Sequence, residues 1–108
     1  MKKFLVFVLL SLSLSAYSQI EVKYFNAGWN APNEIVWIEK LSDCDLEKYD
    51  IGSNPKKAQE FKVVVVPTLI IFQDGEEVER YQADISFKMS ATKEEVQDYI
   101  DELIMSAF

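Results

Sequence analysis

Hydrophobic and polar positions fall into blocks along the chain, and each block predicts one element. Ile20, Val22 and Tyr24 alternate with Glu21 and Lys23, the period of a strand, which predicts β structure from Ile20 to Phe25. The segment Asn26-Ala-Gly-Trp29-Asn30-Ala-Pro32-Asn33 follows as a loop. Ile35, Ile38 and Leu41 then share a face that Val36 and Trp37 widen, which predicts a largely covered helix running to Ser42. Pro32 suits its first turn, and Asn30 or Asn33 is placed to accept a free amide there. A second strand is predicted from Cys44 to Ile51, with Leu46, Tyr49 and Ile51 as apolar members in an imperfect alternation. Asn54-Pro55 opens a short helix through Phe61, with Ala58 and Phe61 facing inward.

The run Val63-Val-Val-Val-Pro67-Thr-Leu-Ile-Ile-Phe72 is the strongest apolar signal outside the N-terminus. Thr68, Ile70 and Phe72 point to one sheet face and Leu69 and Ile71 to the other, so the strand is central and covered on both sides. Pro67 cannot donate to a ladder and marks the strand's start, an edge or a cis turn. Asp74-Gly75 reads as a tight hairpin turn. The returning strand is expected to reach as far as Met89, with Ile85, Phe87 and Met89 facing away from Ser86 and Lys88. Thr92-Lys-Glu-Glu95 is a capping box, followed by a helix whose Val96, Tyr99, Ile100, Leu103 and Ile104 form one continuous face.

The N-terminus has the layout of a secretory signal: Lys2-Lys3, the apolar run Phe4 to Leu14, and Ala16-Tyr17-Ser18 before Gln19. Residues 1–18 are therefore expected to be a cleaved leader and 19–108 a single domain. The run is short for a membrane span, and no stable membrane anchor is expected. Secretion or a periplasmic location follows.

Charge narrows the partners. The chain carries 11 basic and 18 acidic residues, a formal −7, and loses Lys2 and Lys3 with the leader. Such a balance argues against nucleic acid and anionic membranes. There is no histidine and one cysteine, Cys44, so the usual neutral-pH acid–base residue, a Cys/His zinc site and an intrachain disulfide are all excluded. No carboxylates fall into a recognisable pair or calcium-loop spacing. No metal and no cofactor is expected.

The order strand, helix, strand, helix, strand, hairpin, strand, helix resembles the minimal thioredoxin fold. That is an α/β arrangement of βαβ plus ββα over a four-stranded mixed sheet flanked by helices. Phe25-Asn-Ala-Gly-Trp29-Asn-Ala-Pro-Asn33 resembles the family's active-site segment, in which tryptophan precedes Cys-Gly-Pro-Cys at a helix start. Val66-Pro67-Thr68, with its apolar strand and Asp74-Gly75, resembles the family's cis-proline loop and hairpin. The resemblance spans residues 19–108 and implies that Asn30 stands at the attacking cysteine and Asn33 at the resolving one. A thiol beside a helix N-terminus supplies a thiolate, whereas a carboxamide neither ionises nor forms a disulfide. Tyr24 stands where the family keeps a buried aspartate, and Lys48 matches a lysine beside that aspartate. The family's first strand and helix are missing, the stretch from Asn33 to Pro67 is shorter, and the segment after Tyr81 is longer.

The leading expectation is an exported, redox-inactive thioredoxin-like domain with no catalytic residue. It would bind a protein or peptide partner through Trp29, Pro32, Val66 and Pro67, with a cis Val66–Pro67 bond turning the Val66 amide and carbonyl outward for strand-like pairing. One alternative is an adaptor whose interface lies elsewhere. The other is a thiol–disulfide enzyme using Cys44 alone, which Asp43 and Asp45 oppose by raising the thiol pKa.

Overall fold

The computed structural model describes residues 19–107, so the expected leader lies outside the described residues. Strands β1 (Ile20–Asn26), β2 (Asp45–Asp50), β3 (Thr68–Gln73) and β4 (Glu76–Gln82) form one mixed sheet in the order β2-β1-β3-β4. β1 runs parallel to β2 and antiparallel to β3, and β3 runs antiparallel to β4. Among the described residues two α-helices accompany the sheet, α1 (Pro55–Glu60) and α2 (Lys93–Ser106).

The strand alternation assigns the two faces as the side-chain pattern requires. Ile20, Val22, Tyr24, Leu69 and Ile71 pack with Val96 and Ile100 of α2 on one side. Phe25, Ile70 and Phe72 pack with Tyr49, Ile51, Phe61 and Val63 on the other. Lys23 shares this second face. Its ammonium bonds to Glu47 at 2.6 Å and lies 5.4–5.9 Å from the ring centres of Tyr49, Phe61 and Phe72, so cation–π attraction offsets part of its lost hydration. Asp74 (φ 52°) and Gly75 (φ 86°) take the left-handed conformations that a two-residue hairpin needs. Thr92 caps α2 by accepting from the Glu95 amide at 3.2 Å. Pro55 opens α1, and Arg80 of β4 ties down its far end by donating to the carbonyls of Phe61 (2.7 Å) and Lys62 (3.0 Å).

Two expectations are corrected. The helix running to Ser42 does not form. Gly28–Asn33 and Ile38–Lys40 are short 3₁₀ segments, joined through an extended Glu34 (φ −62°, ψ 145°). The extended Glu34 interrupts the run before Ile35, and the three-residue spacing of Ile35 and Ile38 fits a 3₁₀ turn as well as an α-helix. Ile35 and Ile38, three apart, still bury against the core while Val36 stays exposed, and Gln97 of α2 grips both the amide (2.8 Å) and the carbonyl (3.1 Å) of Ser42.

The return strand stops at Gln82 and does not reach Met89. The last tie to β3's side is the Ala83 amide on the Pro67 carbonyl at 3.0 Å. Beyond it Asp84 turns the chain: its Oδ1 accepts from the amides of Ser86 (2.8 Å) and Lys88 (3.2 Å) and from the Ser86 hydroxyl. The Ile85, Phe87, Met89 alternation is therefore a coincidence of a turn, with Ile85 fully exposed. Among the described residues no helix is long and apolar enough to cross a membrane.

Candidate functional site

β1 delivers the chain at Asn26 into the 3₁₀ segment that holds Trp29, Asn30, Pro32 and Asn33. The Asn30 amide donates to the Ala27 carbonyl at 2.9 Å, and Asn30 itself departs from helical geometry (φ −106°, ψ 19°). This local kink sends its side chain inward, where only 3% of the residue is exposed. There Nδ2 faces three acceptors: Asn26 Oδ1 at 3.1 Å, the Val66 carbonyl at 3.3 Å and the Phe87 carbonyl at 3.3 Å. Oδ1 accepts from Asn33 Nδ2 at 2.9 Å. The two asparagines are thus hydrogen-bonded to each other, and Asn30 knits three separate chain segments together.

The Val66–Pro67 bond is cis, and Val66 lies beside the Asn30 loop. The expected outward-facing Val66 carbonyl is not found, because it accepts from Asn30. Val66 is 2% exposed and Pro67 is buried, so they form a floor, while Trp29 (64% exposed) and Pro32 stand outside. The Phe87 ring packs edge-on against Trp29, with centres 5.1 Å apart and planes at 87°. Asn26, Asp84 and Phe87 belong to this site and were not singled out by sequence. Asp84-Ile-Ser86 carried the one available signal, an aspartate able to bond its own backbone two residues on.

Tyr24 lies in the core and its hydroxyl accepts from the Ile35 amide at 3.0 Å. Burial pushes its phenol up, against the opposing hydrogen bonds from Ile35 and Asn26. A neutral phenol thus anchors the chain just past the site. Lys48 is exposed and pairs with Glu39 at 2.6 Å. An open pocket of about 320 Å³ is bounded by Tyr24, Asn26, Ala31, Lys48 and Tyr49.

Cys44 is not part of this constellation. It precedes Asp45, which pairs with Glu21, whereas the site begins at Asn26, which pairs with Asp50. The two lie at opposite ends of β1, about 17 Å apart along the strands. Burial, then the carboxylates of Asp45 and Asp43, push its thiol above the ordinary range. Among the described residues no group of His, Cys, Asp and Glu could hold a metal ion.

A family model described as Thioredoxin matches residues 31–102. The chain is 43% identical over 47 residues to a thioredoxin of Mycobacterium tuberculosis strain H37Rv, covering 44% of this chain and 40% of the relative's length. It is 34% identical over 70 residues to a thioredoxin of Staphylococcus haemolyticus, covering 58% of this chain and 67% of that protein. Thioredoxin 1 from Thermosipho africanus superposes with a TM-score of 0.61 at 25% identity, over 81% of this chain and 97% of that one. A single-site mutant of a thioredoxin from Halobacterium salinarum gives 0.62 at 24% identity, over 80% of this chain and 75% of that one.

Proposed function

The chain belongs to the thioredoxin family, and we propose that within it the protein is an exported, redox-inactive domain that binds a protein or peptide partner through the exposed Trp29 and Pro32 of the Trp29–Asn33 loop, which lies over the buried Val66–Pro67 bond. The observation that carries this reading is the state of Asn30. At the position of the attacking thiol, the side chain is buried and its hydrogen bonds go to Asn26, Val66 and Phe87. A carboxamide so engaged holds the loops in place and does no thiol chemistry. Trp29 and Pro32 remain exposed above a floor of Val66 and Pro67. Tryptophan is a frequent anchor of protein interfaces, which favours this face over others. Export rests on the leader-like residues 1–18 alone.

Three measurements test the parts separately. Intact mass of the extracytoplasmic fraction should give a chain beginning near Gln19; recovery of full-length protein in the cytoplasm removes the export claim. The mature protein should not accelerate reduction of a protein disulfide by dithiothreitol. Turnover that vanishes in Cys44→Ala would establish the one-thiol enzyme instead. Partners recovered with the mature protein from its native exported fraction should be lost with Trp29→Ala; an unchanged partner places the interface elsewhere.

A further inference from the structure

The turn from Asp84 to Lys88 is held to the rest of the molecule differently from every neighbouring segment. Tyr81, Met89 and Ala91 pack on the main core, yet none of residues 84–88 belongs to either core cluster. The turn closes on itself through the Asp84 carboxylate, the Asp84 amide on the Lys88 carbonyl (3.0 Å) and the Phe87 amide on the Asp84 carbonyl (3.0 Å). A ring contact, Phe87 on Trp29, and a hydrogen bond, the Phe87 carbonyl on Asn30 Nδ2, join it to the site.

Both contacts are poised to be given up. Phe87 sits at φ 63°, a left-handed conformation that costs an aromatic residue energy and that it regains on release. A side-chain amide has two hydrogens, and Asn30 Nδ2 faces three acceptors, so one hydrogen is shared. When the Phe87 carbonyl leaves, Asn26 Oδ1 and the Val66 carbonyl remain within hydrogen-bond distance of Asn30 Nδ2. No buried donor is orphaned, and the usual penalty for breaking such a contact is absent.

We infer that the Asp84–Lys88 turn is an internal ligand of the Trp29–Asn30 site, which the partner's docking segment displaces. The turn also displays the chemistry that segment must carry: an aromatic side chain for the exposed face of Trp29 and a main-chain carbonyl within reach of Asn30 Nδ2. This deepens the docking reading given above and rests on it. It makes the free protein's site self-occupied, so that apparent affinity is reduced by the fraction of molecules in which the turn is closed.

The test uses a capped peptide of the turn's own sequence, Asp-Ile-Ser-Phe-Lys-Met, followed by NMR at the Trp29 indole and the Asn30 side-chain amide of the mature protein. In the double variant Asp84→Ala with Phe87→Ala, which loosens the turn and removes its ring, the peptide should bind at least about tenfold more tightly than in the parent. It should shift both signals, and its affinity should disappear when its phenylalanine is replaced by alanine. Asp84→Asn alone, with the fold verified by its thermal transition, should raise hydrogen exchange at Ser86 and Lys88 while leaving Val96 and Ile100 protected. Equal peptide affinity for parent and double variant, or binding to neither, overturns the assignment. A native partner bound no better by the double variant also overturns it, while leaving docking at Trp29 intact. A partner kept by Trp29→Ala removes the docking reading itself.

Discussion

The side-chain amide of Asn30 donates to the main-chain carbonyl of Val66 at 3.3 Å, joining the segment that follows β1 to the one that leads into β3 across 36 positions of sequence. Asn30 is thereby a structural cross-tie. Asn30→Ala should lower stability by about 1–3 kcal/mol, since it leaves buried carbonyls without a donor. Asn30→Asp, equal in size, should do at least as much damage, because a carboxylate would face three oxygen acceptors. Urea denaturation with unchanged slope reads both effects, and a neutral Asn30→Ala would show the tie to be dispensable.

Restoring both thiols should not restore an efficient oxidoreductase. Asn30→Cys with Asn33→Cys places sulfur where the parent side chain is 3% exposed, at a 3₁₀ segment of six residues and not at the head of a long α-helix. Burial raises a thiol pKa, and the dipole of a short segment offers little to lower it. The double variant should form its disulfide on oxidation yet reduce a protein disulfide slowly with dithiothreitol at neutral pH. Rate acceleration comparable to that of a Cys-Gly-Pro-Cys thioredoxin assayed alongside would refute this.

Cys44 should react sluggishly. Burial and the neighbouring Asp45 and Asp43 raise its pKa, so iodoacetamide should label the native chain more slowly than the urea-unfolded chain at mildly alkaline pH. The sign for stability follows. A folded pKa above the unfolded one means that the native state retains the proton more strongly, so this contribution is complete below the unfolded thiol's pKa. It is lost as pH rises through the folded pKa. Cys44→Ala should flatten that alkaline loss, and equal labelling rates for native and unfolded chains would contradict the shift.

Arg80 should matter more than an ordinary surface charge. Its guanidinium bonds to Glu77 and to the carbonyls of Phe61 and Lys62, fixing the exit of α1 against β4. Arg80→Ala should cost about 1–3 kcal/mol, and Arg80→Lys should recover only part of it because a single ammonium cannot reproduce the planar fork. Full recovery in Arg80→Lys, read from thermal unfolding, would reduce the role to charge alone.

What the sequence determined by itself is what neighbouring residues decide among themselves. Alternation placed Ile70 and Phe72 on one face and Leu69 and Ile71 on the other, Asp74-Gly75 made the hairpin, and Thr92 began α2, all from local sterics and hydrogen bonding. The resemblance also implies that Asn30 and Asn33 stand where the family has thiols. The tertiary structure decided the rest, because distant parts of the chain set the terms. Ile35, Ile38 and Leu41 carry a spacing that an α-helix and 3₁₀ turns share, and the structure takes the second while Ile35 and Ile38 still enter the core. Ile85, Phe87 and Met89 carry a strand's alternation, yet no neighbouring strand accepts them, and Asp84 closed the backbone into a turn against Trp29. Val66 is buried for the same reason. Its exposure depended on where Asn30, 36 positions away, would send its amide, and that is decided by the packing of the folded chain and not by any local pattern.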